Sequence, residues 1–294
     1  MNKLYIVITD FNGYAQTRQC LEALRASQYN QFTVLVVDHG TTDETRIGLT
    51  EEYPEVTRLA GSSELWWAGA NNLGIRFSLE RGADAIMLLN NDCYVTSDAI
   101  AILADLIDKC PDAIIAPVQR DCRTERLISI SPHSCFLLGF PSLSGPKEMT
   151  PDMAMRELLP VKLIVGGRGV VIPAGVFNQI GLFDEKRLPH YGADHDFYLR
   201  ARKQGILLYV ASRALVEIDN MRTTLADNPG TLNFAEFLQS LRNIRSHRNL
   251  RDVTTLFKAH YPIPHLYLLG VALYTVRYLL VYWGRRWIFL LRSW

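Results

Sequence analysis

Short runs of β-branched and aliphatic residues alternate with amphipathic stretches through the first half of the chain. The runs at residues 4–9, 33–38, 85–90 and 113–118 predict strands, and later runs at 169–173 and 207–212 predict two more. Residues 97–109 instead place Ile100, Leu103, Leu106 and Ile107 on one face of a helix. Apolar strands separated by helices are typical of a parallel sheet covered on both faces. The pattern therefore predicts an α/β fold with a mostly parallel sheet flanked by helices, a Rossmann-like arrangement.

Two segments depart from this alternation. Residues 119–160 are rich in proline, serine and charge without a clear period, and they predict a loop-rich excursion. After Pro262 and Pro264 the chain becomes aromatic and apolar with isolated arginines. We therefore predict a globular domain over residues 1–230 and a helical C-terminal extension over residues 231–294.

Polar side chains stand where three of the predicted strands end. Asp10 follows the first strand, Asp38 the second, and Asn90, Asn91 and Asp92 the third. In open α/β sheets, ligands bind in the crevice at the carboxyl ends of the strands. Each residue alone is explained as readily by an ordinary turn, which Asp and Asn favour. Together they favour a binding site at this edge of the sheet.

The composition is that of a chain with a full apolar core, because 48% of its 294 residues are hydrophobic and 21% are charged. The formal net charge of +1 is unevenly distributed, since residues 236–294 carry nine lysines or arginines and only two acids. A basic C-terminal part on a mildly acidic body indicates an anionic partner, either lipid headgroups or phosphates. The body shows no second basic stripe with interleaved aromatics, so we expect no nucleic-acid partner.

The cysteines and the apolar segments bear on location. The five cysteines form no C-x-x-C pair and no metal-ligand spacing, which is typical of reduced core thiols in a cytoplasmic protein. The chain opens on an apolar strand-like run, so we expect no signal peptide. The longest charge-free C-terminal stretch, residues 263–276, is shorter than the roughly 18–20 residues that cross a bilayer.

Five motifs then follow one another in chain order: YIVITDFNGYAQTRQCLEAL, TVLVVDHGTTDET, WWAGANNLGI, LLNNDCYV and GLFDEKRLPHYGADHDFYLRARKQG. In this order they resemble the family-two inverting glycosyltransferases with the A-type nucleotide-sugar-binding fold, among them rhamnosyltransferase-like enzymes of bacterial cell-surface glycans. The resemblance extends from about residue 3 to about residue 260. It implies a nucleotide-sugar donor, with UDP or dTDP as the nucleotide.

The resemblance places the donor nucleotide at the ends of the first strands. Asp38 matches the acid that would accept hydrogen bonds from the base or ribose, and Thr9 and Asp10 would line the same crevice. Asp43, at the end of the turn that follows Asp38, fits the N-cap of the next helix.

The resemblance also implies a divalent cation, Mg²⁺ or Mn²⁺, that bridges the donor's phosphates. Asp92 and Asn90 are its predicted ligands, and Asn91 is predicted to contact the donor. The histidine that the family often has after its last strand is missing, because the corresponding segment reads ALVEIDNM. Asp219 of that segment is the predicted substitute.

The family's acceptor-side motif Gly-Glu-Asp-x-Asp reads Gly-Ala-Asp-His-Asp in this chain. Its second acid, Asp194, is the predicted general base that takes the proton of the acceptor hydroxyl in an inverting displacement. Its first acid is replaced by Ala193. Asp196 and His190 are predicted on the acceptor side. Asp196 also fits a structural pair with an arginine of the helix it begins, and a lone histidine such as His190 is more often structural.

Three further side chains are predicted to bind the donor: Trp67, Asn71 and Arg168. The adjacent rings Trp66 and Trp67 either stack on a sugar or base, or contribute one ring to the core. The glycine-rich turn around Arg168 either presents that side chain to the diphosphate or acceptor, or is an ordinary turn before a strand.

The apolar tail has the pattern of an in-plane interfacial helix. On a helical wheel three arginines gather on one side, opposite four apolar side chains: Arg277, Arg285 and Arg292 against Leu268, Leu279, Trp283 and Leu290. Upstream, arginines recur every three residues from 242 to 251 and form either a solvated face or a contact to membrane or lipid diphosphate. We predict a protein that lies peripherally on the inner face of the cell membrane. Re-entrant insertion and an oligomer contact are the alternatives for the tail.

These observations favour a metal-dependent inverting glycosyltransferase that acts on a glycan or lipid-linked acceptor in cell-surface polysaccharide synthesis. A sugar-phosphate nucleotidyltransferase is disfavoured, because the first strand is followed by TDFNGYAQTRQ and not by a glycine-rich basic loop. A non-catalytic carbohydrate- or membrane-binding module stays open, because Ala193 and the missing histidine are departures from the family. Donor-dependent transfer or donor hydrolysis distinguishes an enzyme from such a module.

Overall fold

The structure is a computed structural model that describes residues 3–219 and 231–292 of the chain. Its strands are β1 (Leu4–Asp10), β2 (Phe32–Asp38), β3 (Thr57–Ala60), β4 (Ala85–Asn90), β5 (Cys93–Val95), β6 (Ile114–Asp121), β7 (His133–Cys135), β8 (Phe140–Leu143), β9 (Leu158–Pro160), β10 (Arg168–Pro173) and β11 (Leu208–Ile218). Its α-helices are α1 (Tyr14–Arg25), α2 (Glu44–Glu52), α3 (Trp66–Glu80), α4 (Ala99–Lys109), α5 (Pro151–Met155), α6 (Ala174–Ile180), α7 (Ala193–Lys203), α8 (Phe234–Ser240), α9 (Leu250–His260) and α10 (Tyr267–Arg292).

One mixed sheet forms the centre, in the order β3–β2–β1–β4–β10–β6–β11–β5, with β9 also paired to β11. Strands β1 to β4 are parallel to one another, as are β6 and β11. Strands β5, β9 and β10 run antiparallel to their neighbours. The predicted α/β fold with a mostly parallel sheet flanked by helices is confirmed. The direction of β10 was not predicted, because a strand buried on both faces is apolar whichever way it runs.

Alternate residues of the central strands supply two apolar layers, one on each face of the sheet. Val7 and Leu35 belong to the layer that α3, α6, α7 and α9 cover. Ile6 and Val36 belong to the opposite layer, covered by α1 and α4. The motif WWAGANNLGI lies within α3 and not before it. Its Gly74 lets the helix approach β1, because a Cβ there would come within 2.4 Å of Val7 Cγ1.

Several predicted boundaries change in the structure. The strand predicted at 207–212 continues to Ile218, which brings the next residue, Asp219, to the sheet edge. The excursion at 119–160 contains the hairpin β7–β8, the short helix α5 and strand β9. Asp43 holds the N-cap position of α2, but its side chain pairs with Arg46 and makes no cap hydrogen bond. Cys20 and Cys93 are buried as expected, whereas Cys122 is exposed.

The C-terminal helices pack against the sheet-containing part and share its core. Phe257 and Tyr274 lie in the same apolar layer as Val7. His260 of α9 contacts Asp196 of α7 at 2.8 Å. The boundary between residues 230 and 231 falls beside the undescribed residues 220–230, so the division into 1–230 and 231–294 stays a prediction.

Helix α10 is oriented differently from the predicted wheel. Arg277 turns toward the protein and lies over the ring of Phe140, and Leu279 is half-buried, whereas Leu268 and Trp283 are exposed. The side chains of Leu290 and Arg292 lie outside the described residues.

The exposed face of α10 is an apolar stripe with helical spacing: Leu269, Leu273, Val276, Leu280, Trp283, Trp287 and Leu291. By length and composition alone, residues Pro264–Phe289 would also suffice to cross a membrane.

The arginine repeat at residues 242–251 does not lie on one helix. Arg242, Arg245 and Arg248 are in the turns between α8 and α9, and Arg251 is in the first turn of α9, so the three-residue spacing does not keep the side chains on one side. Arg248 is 1% exposed, and Arg245 lies over the ring of Trp66.

Candidate active site

Two adjoining cavities open at the carboxyl ends of the parallel strands. The first has a volume of about 790 Å³ and is lined by Thr9, Phe11, Gln16, His39, Thr41, Ser63, Glu64, Trp66, Trp67, Asn90, Asn91, Asp92, His190, Tyr191, Asp219 and Arg245. The second, of about 440 Å³, lies between this edge and the helices α9 and α10. The two cavities share five lining residues: Trp67, Asn90, Asp92, His190 and Tyr191.

Strand register explains why residues distant in sequence meet at the first cavity. Asp10 of β1 is opposite Asp38 of β2, and Thr9 of β1 is opposite Asn90 of β4. The predicted convergence of strand ends at one edge therefore occurs. Thr9 lines the first cavity, as predicted for a donor-binding residue.

Asp10 and Asp38 are at this edge, but their carboxylates are used inside the protein. Asp10 is fully buried, and it accepts hydrogen bonds from Gly13 N–H at 3.0 Å and from the hydroxyls of Thr17 and Thr45. Asp38 is 5% exposed and pairs with Arg58 at 2.8 Å. Neither is among the residues that line the two cavities, and their donor contacts stay predictions. Their placement instead fixes the loops that follow β1 and β2.

Those loops present two aromatic side chains that the sequence did not single out. The rings of Phe11 and His39 lie 5.3 Å apart, and both line the first cavity. Burial lowers the pKa of His39, although Asp10 and Asp38 oppose this, so the imidazole is neutral at pH 7. The only signal in the sequence was the position of both residues directly beside strand ends.

Asp92 and Asp219 face the first cavity together. The antiparallel pairing of β11 with β5 sets Ile218 opposite Cys93, so that the next residue, Asp219, donates its N–H to the carbonyl of Asp92 at 2.8 Å. Burial raises the pKa of Asp92, and the charge of Asp219 adds to this, while Arg168 opposes it. Two acids at one cavity wall suit a cation.

The predicted metal shell is otherwise sparse. The Asn90 side-chain oxygen accepts a hydrogen bond from Trp67 Nε1 at 2.9 Å. Within residues 3–219 and 231–292, no group of three His, Cys, Asp or Glu side chains is placed to hold a metal ion. Asp92 and Asp219 would therefore supply the protein's carboxylates, and the remaining ligands would come from phosphate oxygens and water, as Mg²⁺ sites commonly arrange.

Of three further residues that were predicted to bind the donor, two line the first cavity and one does not. Trp67 and Asn91 line the first cavity, and Asn91 is held by hydrogen bonds to the Gly13 carbonyl and the Thr17 hydroxyl. Asn71 is 2% exposed, donates to the Trp67 carbonyl at 2.8 Å and lines neither cavity. The donor contact of Asn71 stays a prediction, and the structure shows its side chain hydrogen-bonded within α3.

Asp194 lies in the second cavity and is held by two donors. It accepts a hydrogen bond from Gly166 N–H at 2.6 Å and contacts His195 Nδ1 at 3.0 Å. Burial alone would raise the pKa of Asp194, but the charge and hydrogen bond of His195 and the N–H of Gly166 lower it to about 2. The carboxylate is therefore ionised at neutral pH.

The glycine turn before β10 positions Asp194. Gly166 has a φ of 75°, which favours glycine, and its carbonyl accepts a hydrogen bond from the Tyr198 hydroxyl at 3.1 Å. Asp194 and Tyr198 are one helical turn apart on α7, so the N–H and the carbonyl of Gly166 are both hydrogen-bonded to that helix. The turn therefore holds the Asp194 carboxylate in place. In the sequence, only its glycines pointed to this turn.

Arg168 follows this turn but points to the second cavity. It lines that cavity and donates to Gln119 Oε1 at 3.2 Å, and it lines no part of the first cavity. Arg168 therefore lies with Asp194 at the second cavity, and its predicted donor contact stays a prediction.

His190 lies where the two cavities meet, beside the rings of Trp66 and Tyr191. Burial lowers its pKa to about 4, with a further contribution from the charge of Arg245, so it is neutral at pH 7. Its Nδ1 atom is buried without a hydrogen-bond partner among the described residues. Arg245 is the one lysine or arginine among the described residues that line the first cavity.

Known proteins resemble this chain in sequence and in fold. Residues 5–154, about half of the chain, match the family described as glycosyl transferase family 2. The chain belongs to that family. Two relatives have similar coverage. An uncharacterised protein of Mycobacterium tuberculosis is 25% identical over 195 residues, which cover 64% of this chain and 68% of the relative. The dTDP-rhamnosyl transferase RfbF of Shigella flexneri is 24% identical over 209 residues, 71% of this chain and 66% of RfbF.

Solved structures show the same fold at low sequence identity. GalNAc-T7 with UDP, GalNAc and Mn²⁺ superposes with a TM-score of 0.62 at 13% identity, over 74% of this chain and 44% of that one. S. aureus TarS 1–349 in complex with UDP-GlcNAc gives a TM-score of 0.55 at 12% identity, over 93% of this chain and 71% of TarS 1–349. This family 2 chain thus has the A-type glycosyltransferase fold, but it spans less than half of the GalNAc-T7 chain.

Asp196, two residues beyond Asp194 in the family motif, is bonded to other side chains of the protein. Its carboxylate is 5% exposed, and it contacts Arg200 Nε at 2.7 Å and His260 Nε2 at 2.8 Å. It lines neither cavity, and its acceptor-side contact stays a prediction. The predicted pair with an arginine of its own helix is formed with Arg200, and His260 of α9 is a second partner.

Proposed function

We propose that this chain is an inverting glycosyltransferase that moves a sugar from a UDP- or dTDP-linked donor to a hydroxyl of a glycan or lipid-linked acceptor in cell-surface polysaccharide synthesis. One observation carries the proposal: a cavity with a carboxylate pair adjoins a second cavity with an ionised, hydrogen-bonded aspartate, and the two share Asp92 and His190. Family 2 membership makes sugar transfer the reaction class.

The donor is assigned to the first cavity. Its volume of about 790 Å³ is within the range of pockets that hold small molecules. Phe11 and His39 offer rings against which a nucleobase packs, and Arg245 offers a cation for the diphosphate. The GalNAc-T7 structure contains UDP, the TarS structure contains UDP-GlcNAc, and RfbF is a dTDP-rhamnosyl transferase, so both pyrimidine donors are proposed.

Mg²⁺ or Mn²⁺ is proposed as the cofactor, with Asp92 and Asp219 as its protein ligands. The residues fit such an ion, because the raised pKa of Asp92 reports a buried acid beside a second acid. When bound, a divalent cation neutralises the charge that builds on the leaving diphosphate. The GalNAc-T7 structure contains Mn²⁺.

The acceptor is assigned to the second cavity, with Asp194 as general base. The acceptor oxygen forms a bond to the anomeric carbon while the bond from that carbon to the diphosphate breaks, and Asp194 takes the hydroxyl proton. Hydrogen bonds from Gly166 and the contact with His195 hold the carboxylate in one orientation before the substrate arrives. His190, at the junction of the cavities, is the second candidate for the base.

The exposed face of α10 is proposed to lie on the cytoplasmic surface of the cell membrane. The opposite face is occupied by protein, because Tyr274 and Tyr282 are at most 2% exposed and pack against α9 and α8. A helix covered along one side in this way suits an in-plane position better than a transmembrane one. The basic excess of residues 236–294 complements anionic headgroups.

A thermal-shift screen of UDP- and dTDP-sugars, with and without Mn²⁺, tests the donor assignment. At a hundredfold excess over Kd, a bound donor stabilises the fold by about 2.7 kcal/mol, which raises Tm by roughly 5–10 °C. Release of UDP or dTDP from the stabilising donor then tests for an enzyme. A chain that no nucleotide sugar stabilises, and that releases no nucleotide, would contradict the proposal.

Flotation with vesicles containing about one third anionic lipid tests the membrane assignment. A variant that ends at Gly284 keeps Tyr274 and Tyr282 but loses the last basic and aromatic turns. We expect its binding to fall at least about tenfold, since each arginine near an anionic surface contributes about 1 kcal/mol. Donor-induced stabilisation of the shortened chain is the control for folding. Equal flotation of the two forms would refute the membrane contact.

A further inference from the structure

Arg277 is an arginine of α10 that enters the second cavity inside a set of aromatic rings. Its guanidinium carbon lies 4.0 Å from the ring centroid of Phe140, 5.1 Å from that of Tyr278 and 5.3 Å from that of Tyr274. The side chain is half-buried and lines the cavity that also contains Asp194. Packing against rings holds the cation in place without using its N–H donors.

Among the described residues, no acidic side chain forms an ion pair with this cation, although Asp194 and Asp252 line the same cavity. Over the described part of the chain, the contacts of Arg277 are with rings, and neither a hydrogen bond nor an ion pair engages its guanidinium. Arg168, in the same cavity, differs because it donates to Gln119. A guanidinium presents five N–H donors in a planar fork that matches phosphate oxygens. A partly desolvated, unpaired guanidinium in a cavity therefore suits a phosphate group of a ligand.

Two apolar side chains close to Arg277 on α10 are exposed. Val276 is 52% exposed and Leu280 is 67% exposed, and both belong to the apolar stripe of α10. One short stretch of helix thus presents a cation to the cavity and apolar side chains to the outside. This pairing matches an amphiphile whose phosphate enters the cavity while its hydrocarbon chain stays against the outer face.

We propose that the second cavity takes an acceptor sugar joined through a phosphate or diphosphate to a hydrocarbon carrier, and that Arg277 binds this phosphate. The inference rests on the proposed function, because it names the acceptor class for that site. The sugar hydroxyl lies toward Asp194, the phosphate lies at Arg277, and the hydrocarbon follows the stripe into the lipid. Arg277 is then a specificity-determining residue that separates carrier-linked acceptors from free saccharides.

Binding of dodecyl phosphate, diluted in micelles of the neutral detergent dodecyl maltoside, tests this assignment on the full chain. EDTA is present and no donor is added, so that binding through a metal ion at the first cavity is suppressed. We expect Arg277→Gln to weaken binding at least tenfold and Arg277→Lys to weaken it less, because lysine keeps the charge but loses the fork. Lys258→Gln is the matched control, since Lys258 is exposed on α9 and lines neither cavity.

Inorganic phosphate, measured in the same way, separates the two sources of the anion. A carrier-linked acceptor predicts that inorganic phosphate binds at least tenfold more weakly than dodecyl phosphate. Equal binding of the two would overturn the hydrocarbon carrier, and equal binding by Arg277→Gln and Lys258→Gln would overturn the phosphate site. If Arg277→Gln loses its fold, Arg277→Met keeps the apolar stem against the rings and takes its place. Donor-induced stabilisation in the same samples judges the proposed function separately.

Discussion

The donor side and the acceptor side of the site use buried aspartates in opposite electrostatic settings. Asp92 and Asp194 both line the second cavity. Burial raises the pKa of Asp92, and the neighbouring acid Asp219 adds to that effect. For Asp194, the charge and hydrogen bond of His195 overcome burial and lower the pKa to about 2. At Asp92 burial thus prevails over the charge of Arg168, whereas at Asp194 the positive partners prevail over burial.

This difference separates the functions that the two carboxylates can have. A buried carboxylate with a raised pKa gains most from a cation, whereas one held ionised at neutral pH by an imidazole and an N–H is in the form that a general base needs. The comparison therefore supports the proposed functions, cation binding for Asp92 and proton transfer for Asp194. Variants at these residues and at their neighbours test whether the contrast is functional.

The largest expected effect is on sugar transfer in Asp194→Asn. The amide keeps the size of the side chain but cannot take the proton, so turnover falls by a factor of roughly 10²–10⁴ while donor binding stays near that of the wild type. Steady-state transfer and donor calorimetry measure the two quantities. His190→Gln is the comparison variant, because His190 is the other candidate base. A smaller loss in Asp194→Asn than in His190→Gln would move the base to His190.

Asp196→Ala tests whether the second acid of the motif is structural. It removes the partner of both Arg200 and His260 in a buried position, so we expect a loss of about 3–5 kcal/mol in the free energy of unfolding, measured in urea. Burial would raise the pKa of Asp196, but His260 and Arg200 lower it, so this stabilisation is lost as the pH falls below about 4.

The matched control for that variant is Asp152→Ala. Asp152 pairs with Arg156 at the same four-residue spacing, but the two side chains are 75% and 58% exposed. An exposed pair of this kind contributes about 0–1 kcal/mol. Similar losses in the two variants would show that Asp196 is not a buried structural acid.

Asp92→Ala tests the donor side. It removes one of two carboxylates at the cavity wall, so Mn²⁺-dependent donor binding should fall by about 100-fold, the scale of a few kcal/mol of metal assistance. Because the pKa of Asp92 is raised, acidification should weaken metal-dependent binding in the wild type before Asp194 is protonated. Calorimetry with and without EDTA measures this. Asp112→Ala, an exposed site, is the control, and unchanged metal dependence in Asp92→Ala would place the cation elsewhere.

The sequence predicted the sheet, its ligand-binding edge and several cavity residues, because strand periodicity and turn chemistry are local. It did not predict that Asp10 is already satisfied, since Thr17 and Thr45 come from two different helices. The same limit applies to the acceptor side. Arg277 reaches its cavity only when α10 folds back across the sheet-containing part, and no local pattern contains that contact.

The pair Asp92 and Asp219 was predicted only in part. The family resemblance suggested Asp219 as the replacement for a missing histidine, and the pairing of β11 with β5 does place it beside Asp92. The resemblance supplied the position along the chain, whereas the antiparallel register supplied the proximity. The residues of the candidate site were thus predictable where they lie at the end of a recognisable strand.

Asp252→Asn has the smallest expected effect and sharpens the comparison within one cavity. Asp252 lines the second cavity, as Asp194 does, but its Oδ2 atom is buried without a hydrogen-bond partner among the described residues. Burial raises its pKa to about 6, with Arg251 opposing. The carboxyl ionises near pH 4 in the unfolded chain and near pH 6 in the folded one, so folding becomes less favourable as the pH rises through that window.

Asparagine removes the charge that burial penalises at Asp252. We therefore expect Asp252→Asn to raise Tm by about 2–4 °C at pH 7.5, the equivalent of about 1 kcal/mol, and to leave Tm unchanged at pH 4. Scanning calorimetry at the two pH values measures this, with Asp112→Asn as the exposed control. The sign is opposite to that expected for Asp194→Asn, because the charge of Asp194 is compensated by His195 and its loss brings no relief. A lower Tm for Asp252→Asn at pH 7.5 would show that a compensating partner holds Asp252 ionised as well, and the contrast between the two acids of this cavity would then disappear.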